Sequence, residues 1–237
     1  MTPRPKRRLS APVVQNMAQG RFGRTIRWMA FKSRPPDPPS MEEVRKRAQI
    51  LVVDDEFFPY IDSFQRDNYH ITKWSHVENM TQLTENHFDL ILLDLNGIAP
   101  RDAPTMQGLE VLKHIRDESP VQMVIAYSGQ KWGVEAQQFL SYADDVLDKS
   151  EDYLVFKGKV DTLLRRRYSP GYFLGLINRE IGDRADRVPN LVPITLRAIG
   201  ANKPDTVRNY LRENLIEQVT IDRIIAVLGI AIALLRQ

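Results

Sequence analysis

The chain has 237 residues, an apolar fraction of 43% and a formal net charge of +3, which suits one or two domains with a sizeable core. It contains no cysteine, which excludes disulfides and thiolate metal sites and favours the cytosol as its compartment. Residues 1–48 carry a net charge of +9, residues 49–150 of −10 and residues 151–237 of +4. An acidic middle between basic ends predicts three functional regions.

Residues 1–40 are predicted to form a basic, proline-rich arm and linker. The sequence SRPPDPPS at residues 33–40 favours a stiff, polyproline-like chain. Before it, apolar side chains are interspersed with Arg21, Arg24 and Arg27, which fits a segment that binds an anionic membrane surface or nucleic-acid phosphates. A disordered tail, or an arm that packs on the acidic part of its own chain, explains the same composition. No apolar core of 7–15 residues follows the first charges, so we expect no signal peptide.

Short apolar runs predict strands that are buried on both faces of a parallel sheet. The runs lie at residues 50–53, 90–93, 121–127 and, in a shorter form, 143–148, and residues 69–74 are predicted to form a further strand. Polar side chains stand at the carboxyl ends of the runs: Asp54, Asp55 and Glu56, then Asp94, then Ser128, then Lys149. In an open α/β sheet the chemistry lies just beyond these strand ends.

This set of polar groups suits a carboxylate that accepts a phosphoryl group. A divalent cation is needed to offset the charge between two anions, and Mg²⁺ prefers carboxylate oxygens and water. The hydroxyl of Ser128 and the ammonium of Lys149 would hold phosphoryl oxygens by hydrogen bond and by charge. The alternative is a structural ion cluster without phosphoryl chemistry.

With these residues in place, residues 49 to about 168 resemble the receiver domain of two-component response regulators. The resemblance implies an α/β, flavodoxin-like (CheY-like), doubly wound five-stranded parallel sheet, with a histidine kinase or phosphotransfer protein as partner. It implies that Asp94 is the phosphoacceptor and that Ser128 and Lys149 contact the phosphoryl group. The implied Mg²⁺ ligands are Asp54, Asp55, Asp94 and the backbone carbonyl of Asn96. Beyond self-catalysed acceptance and hydrolysis, no enzyme activity is expected.

Two positions depart from the family pattern. Val146 stands three residues before Lys149, where the family usually has a Tyr or Phe whose ring turns inward when the hydroxyl moves. Ser150 replaces the proline that commonly follows the lysine. Phosphoryl uptake needs neither feature, so both departures concern how the signal leaves the site. Tyr127, next to Ser128, is the candidate substitute for the missing ring.

The helices of this region are predicted between its strands. Residues 41–48 are expected to lead directly into the first strand, and the helices are predicted at residues 57–67, 77–85, 109–118, 132–142 and 157–168. Arg165, Arg166 and Arg167 end the last of them, where a helix C-terminus favours cations.

Residues 169–237 are predicted to form an all-α region without a family resemblance. The predicted helices cover residues 170–182, 191–199, 205–219 and 221–235, the last capped by Thr220. Residues 224–235 are uncharged and apolar, but a membrane span needs about 20 such residues. A buried or self-associating helix is therefore favoured, with Ala226, Gly229 and Ala233 as a stripe of small residues where another helix could approach.

The sequence thus predicts an arm at 1–40, a receiver at 41–168 and a helical output or oligomerisation region at 169–237. The first hypothesis is a phosphorylation-controlled regulator whose helical region docks a partner or self-associates through residues 205–237. The second is a DNA-binding regulator that uses the arm and Arg165 to Arg167 on phosphates. A third, weaker hypothesis is peripheral attachment to a membrane through both ends.

Overall fold

The structure, a computed structural model, describes residues 37–100, 104, 108–129 and 141–236. The predictions for the arm up to residue 36 lie outside the described residues. The same holds for the predicted helix at residues 132–142, except for Ser141 and Tyr142, which form a turn.

A five-stranded parallel sheet forms the centre of residues 49–148. Its strands are Gln49–Val53 (β1), His70–Trp74 (β2), Leu90–Asp94 (β3), Met123–Ser128 (β4) and Asp145–Asp148 (β5). Their spatial order is β2-β1-β3-β4-β5, and each neighbouring pair is parallel. Every residue of β3 and β4 is buried, as the unbroken apolar runs predict. The predicted doubly wound, flavodoxin-like fold is confirmed.

Helices cover both faces of this sheet. They are Met41–Arg47 (α1), Ile61–Arg66 (α2), Met80–Thr84 (α3), Gly108–Glu118 (α4) and Tyr153–Arg167 (α5). On one face Ile50 and Leu92 belong to a core with Phe64 of α2 and Phe156 of α5. On the other face Leu51, Val53, Ile91 and Leu93 pack with Leu83 of α3 and with Val111, Leu112 and Ile115 of α4. The sheet is therefore the middle layer of three.

Three predicted helix boundaries are corrected by local capping and turns. Residues 41–47 form α1 rather than a simple lead-in, because Ser40 and Glu43 build a capping box at its N-terminus. The helix predicted from residue 57 begins at Ile61. The helix predicted from residue 157 begins at Tyr153, because the side chain of Asp152 accepts a hydrogen bond from the Val155 N–H.

The C-terminal region is all helical, as predicted. It contains Pro170–Ile181 (α6), a 3₁₀ turn at Gly182–Arg187, Leu191–Ala201 (α7), Pro204–Glu213 (α8) and Gln218–Leu235 (α9). The predicted helix at 205–219 ends early, because Leu215 adopts a φ of 56° that a helix cannot include. Thr220 does not cap the last helix; it lies buried inside α9, and Glu217 is at the N-cap position.

The C-terminal helices dock on the amino end of the sheet, opposite the carboxyl ends of the strands. The Tyr172 hydroxyl donates to the Val121 carbonyl at 2.9 Å, and the Tyr168 hydroxyl donates to Asp89 at 3.1 Å. Val121 and Asp89 immediately precede β4 and β3. One continuous core extends from the sheet to Leu235 of α9. The predicted boundary at residue 168 stays a prediction, and this shared core shows that the residues on its two sides pack as one unit.

Candidate functional site

The ammonium of Lys149 lies at the centre of an acidic pocket at the carboxyl end of the sheet. Its Nζ donates to Asp94 Oδ2 at 2.7 Å, to Asp54 Oδ1 at 3.2 Å and to Glu56 Oε2 at 3.1 Å. Asp94 ends β3, Asp54 follows β1 and Lys149 follows β5. Three strand ends therefore bring these predicted residues together, as the parallel sheet requires.

Asp54, Asp55 and Asp94 form a cluster whose carboxylate oxygens lie within 4.8 Å of one another. Asp54 and Asp94 are buried, each with about 1% of its surface exposed, whereas Asp55 is open to solvent. Hard carboxylate oxygens at this spacing, with one open side for water, fit the donor set that Mg²⁺ prefers. The residues present therefore fit the cation that the sequence predicts.

Gly97 makes room for Asp55. Its φ is +69°, and a Cβ at this position would lie 2.1 Å from a carboxylate oxygen of Asp55. The backbone conformation favours glycine, and any Cβ here would push the Asp55 carboxylate out of its present position. The turn after β3 is thus shaped so that Asp55 can approach the end of that strand.

Ser128 and Asn96 form a second side of the pocket. Asn96 Nδ2 donates to Ser128 Oγ at 3.2 Å, and the Asn96 N–H donates to Asp94 Oδ1 at 3.3 Å. Ser128 ends β4 and is almost fully buried. The structure therefore places the predicted hydroxyl beside the turn that follows Asp94, and the carbonyl of Asn96 stays a predicted metal ligand.

Burial and mutual hydrogen bonds shift the pKa values of Asp94 and Lys149. Burial raises the pKa of Asp94, and the hydrogen bond from Lys149 only partly opposes that rise. Burial alone would lower the pKa of Lys149, but its hydrogen bonds to Asp94, Glu56 and Asp54 outweigh this effect and raise the pKa. The ammonium is thus held in its charged form beside a carboxylate whose charge is costly.

Tyr127 has a contact that sequence reasoning did not identify. Its hydroxyl donates to Asp54 Oδ2 at 2.6 Å, although the side chain is buried in the core. Sequence reasoning considered Tyr127 only as a replacement for the ring missing at Val146. Its one signal was a phenol within an otherwise apolar run, which does not reveal the partner of the hydroxyl.

Arg167 is not available to phosphates, which corrects part of the DNA-binding hypothesis. Its side chain is 1% exposed, and Nη1 donates to the Val121 carbonyl at 2.5 Å. Arg166 stands over the ring of Tyr172, 5.2 Å from its centre, and Arg165 is exposed. Arg167 therefore ties the end of α5 to the amino end of the sheet, and Arg166 contacts the first of the C-terminal helices.

Comparisons with known proteins find similar solved structures. No protein-family model and no curated protein matches the chain. A CheY-like response regulator receiver domain protein from Methanospirillum hungatei JF-1 is 22% identical, over 51% of this chain and 95% of that chain, with a TM-score of 0.42. The signal receiver domain of a putative Luxo repressor protein from Vibrio parahaemolyticus is 25% identical, over 51% of this chain and 92% of that chain, with a TM-score of 0.42.

A third similar structure is the response regulator protein TrrA from Thermotoga maritima, in complex with Mg(2+)-BeF. It is 26% identical, over 49% of this chain and 98% of that chain, with a TM-score of 0.37. The chain is thus similar to receiver domains over about half its length. Since the TM-scores lie below 0.5, the fold itself rests on the order and direction of the five strands.

Proposed function

We propose that this chain is a cytosolic receiver protein in which Asp94 accepts a phosphoryl group from a histidine kinase or phosphotransfer protein. One observation supports this proposal most directly. Lys149 Nζ lies 2.7 Å from Asp94 Oδ2, and the carboxylates of Asp54 and Asp55 lie beside this pair. This arrangement combines a nucleophilic carboxylate, a fixed cation and a donor set for Mg²⁺. A purely structural ion pair would not need the third carboxylate, Asp55, which faces solvent.

Each residue has a distinct part in this chemistry. A carboxylate oxygen of Asp94 attacks the phosphorus, while the bond to the donor breaks and the donor leaves with the bonding electrons. When bound, Mg²⁺ offsets the charge between the carboxylates and the phosphoryl oxygens. Lys149 stabilises the charge that develops on the transferred group, and Ser128 can donate a hydrogen bond to it. Water later hydrolyses the acyl phosphate and restores Asp94.

Intact mass after incubation with Mg²⁺ and acetyl phosphate tests the proposal. The wild type is expected to gain one phosphate, and Asp94→Asn none. Asp117→Asn is the matched control, because Asp117 is an exposed carboxylate at the end of α4, away from the pocket. A wild type that gains no phosphate, or an Asp94→Asn variant that gains one, would overturn the assignment.

We further propose that α9 is the output surface and that it binds a second copy of this chain. Its face away from the core carries the exposed residues Asp222, Ala226, Gly229 and Ala233, and exposed Arg236, directly after the helix, continues their steps of four and three. This spacing is the heptad pattern of paired helices. Half-buried Ile225, Ile230 and Ile232 flank it and supply apolar surface for a partner helix.

The charges on this face indicate an antiparallel pair. Asp222 lies near the start of the face and Arg236 at its end, so an antiparallel copy brings Asp222 of each chain to Arg236 of the other. Small side chains between them allow the backbones to approach closely. A parallel pair would place Asp222 against Asp222 and lose this complementarity.

Membrane insertion is the competing use of the same helix. By length and composition α9 could cross a membrane, since its 18 residues have a mean hydropathy of 2.0 and only 33% of them are buried. Burial of Asp222 and Arg223 in hydrocarbon would be costly. The exposed charges on the helix therefore favour a protein partner over lipid.

A further inference from the structure

We propose that Tyr127 is a positioning residue of the metal site, because its hydroxyl fixes the orientation of the Asp54 carboxylate. This inference rests on the proposed receiver function. Tyr127 would raise the affinity for Mg²⁺. This effect would not require a phosphoryl group on Asp94.

The ring of Tyr127 is held firmly in the core. It packs edge-on against Phe58 and Phe156, with ring centres 6.0 Å and 6.1 Å away. Because neighbouring strand residues face opposite sides of a sheet, Tyr127 lies on the side of α2 and α5 while Ser128 points to the other side. A ring clamped in this way can present its hydroxyl at one place only, the edge where Asp54 follows β1.

Both oxygens of Asp54 receive hydrogen bonds. Oδ2 accepts from the Tyr127 hydroxyl at 2.6 Å. Oδ1 accepts from the Glu56 N–H at 2.9 Å and from Lys149 Nζ at 3.2 Å. Lys149 divides its hydrogen bonds among Asp54, Asp94 and Glu56, whereas the hydroxyl of Tyr127 donates to Asp54 from a ring that is fixed by packing. Tyr127 is therefore the constant support of this carboxylate.

The hydroxyl is suited to this task because it stays a donor. Burial, and then the hydrogen bond to Asp54, raise the pKa of Tyr127. A neutral donor orients a buried carboxylate without cancelling the negative charge that a cation needs. Loss of such a supporting contact typically lowers metal affinity by about 10–100-fold.

Titration calorimetry with MgCl₂ alone tests the inference on the full chain. Tyr127→Phe keeps the ring and removes the hydroxyl, and we expect its Mg²⁺ affinity to fall at least about tenfold. Tyr172→Phe is the matched control, because it also removes a buried hydroxyl, which donates to the Val121 carbonyl at the opposite end of the sheet. Its Mg²⁺ affinity should equal that of the wild type.

Urea unfolding in EDTA separates positioning from stability. If both variants lose similar stability but only Tyr127→Phe loses Mg²⁺ affinity, the positioning role stands. If Tyr127→Phe binds Mg²⁺ as tightly as the wild type, the inference fails, while phosphoryl uptake at saturating Mg²⁺ would leave the proposed function intact. A wild type that binds no Mg²⁺ overturns the inference and the proposed Mg²⁺ site together.

Discussion

The ammonium of Lys149 lies 2.7 Å from the carboxylate of Asp94, a residue 55 positions earlier in the chain. The two side chains meet because both follow parallel strands that end at the same edge of the sheet. Even with this cation so close, the pKa of Asp94 is raised by burial. Burial thus disfavours the ionised form of Asp94 when no further cation is bound.

The raised pKa of Asp94 predicts a pH-dependent gain in stability for Asp94→Asn. A carboxyl whose pKa is higher in the folded than in the unfolded state stabilises the fold below its ordinary value of 3.8, and that stability is lost as the pH rises through the folded value. We therefore expect Asp94→Asn to be more stable than the wild type at pH 7 in EDTA. The difference should shrink towards pH 4.

Urea unfolding at the two pH values measures this difference. Saturating Mg²⁺ should then stabilise the wild type, by about 2.7 kcal/mol at 100 times the dissociation constant, and have a smaller effect on the variant. A wild type that is the more stable protein at pH 7 without metal would show that Lys149 already compensates the charge of Asp94.

Gly97→Ala is expected to disrupt the metal site through space rather than charge. The new methyl group would overlap the carboxylate of Asp55, and the backbone at φ +69° is unfavourable for any residue with a Cβ. We expect Mg²⁺ affinity to fall at least about tenfold, because Asp55 must move out of the cluster. Titration calorimetry with MgCl₂ measures it.

Gly129→Ala provides the comparison for this variant. A Cβ at Gly129 would lie 3.8 Å from Lys149 Cδ, which is an ordinary contact. This variant should bind Mg²⁺ as the wild type does. Equal affinity in Gly97→Ala and Gly129→Ala would mean that Asp55 does not contribute to the site.

The strands and the acidic pocket were accessible from the sequence because their signals are local and strong. Uninterrupted apolar runs predict buried strands, and parallel strands align their carboxyl ends, so Asp54, Asp94 and Lys149 could be expected to meet. The hydrogen bond from Tyr127 to Asp54 could not be predicted. It depends on where the rings of Phe58 and Phe156 hold the phenol, which is set by packing between α5, β4 and the segment before α2.

In the C-terminal helices, too, the sequence predicted the elements but not the features that depend on packing. Apolar periodicity predicted the helices, but the break at Leu215 depends on a positive φ in a residue that rarely adopts one. Arg167 belongs to a run of three arginines that looks like a surface cluster. The burial of one member becomes visible only when α6 covers the amino end of the sheet.

Arg167→Met is expected to weaken the attachment of α5 to the amino end of the sheet. It removes a charged hydrogen bond to the Val121 carbonyl and a cation that lies 3.8 Å from the carboxylate of Asp89, which is 8% exposed. Hydrogen bonds to charged groups contribute about 1.5–3 kcal/mol, and we expect a loss of this size in urea unfolding. Arg165→Met, a change to an exposed neighbour on the same helix, should leave stability within about 0.5 kcal/mol of the wild type. Similar losses in both variants would contradict the role of Arg167 in holding α5 to the sheet.

The proposed antiparallel pairing of α9 predicts that two opposite charge reversals cancel each other. Asp222→Arg places two arginines together at each end of the pair, and Arg236→Asp places two aspartates together, so each single variant should dissociate to monomers. The double variant restores opposite charges only if the helices are antiparallel, and it should recover the dimer. Light scattering at several protein concentrations and low salt measures the mass.

Asp222 also forms an ion pair with Arg208 of its own chain, at 3.3 Å. Asp222→Arg would break this pair as well, so Arg236→Asp is the more specific single variant.

Cross-linking tests the centre of the same interface. Because the chain has no cysteine, Gly229→Cys would be its one thiol, and the antiparallel pair brings Gly229 close to Gly229 of the second copy. Oxidation should then give a disulfide-linked dimer in high yield, whereas Leu154→Cys, an exposed position on α5, should give little. A wild type that is monomeric at all concentrations would exclude the pairing of α9. Flotation of that monomer with vesicles of anionic lipid would assign α9 to the membrane instead. A double charge variant that stays monomeric while the wild type dimerises would exclude the antiparallel arrangement, because that arrangement restores opposite charges at both ends of the pair.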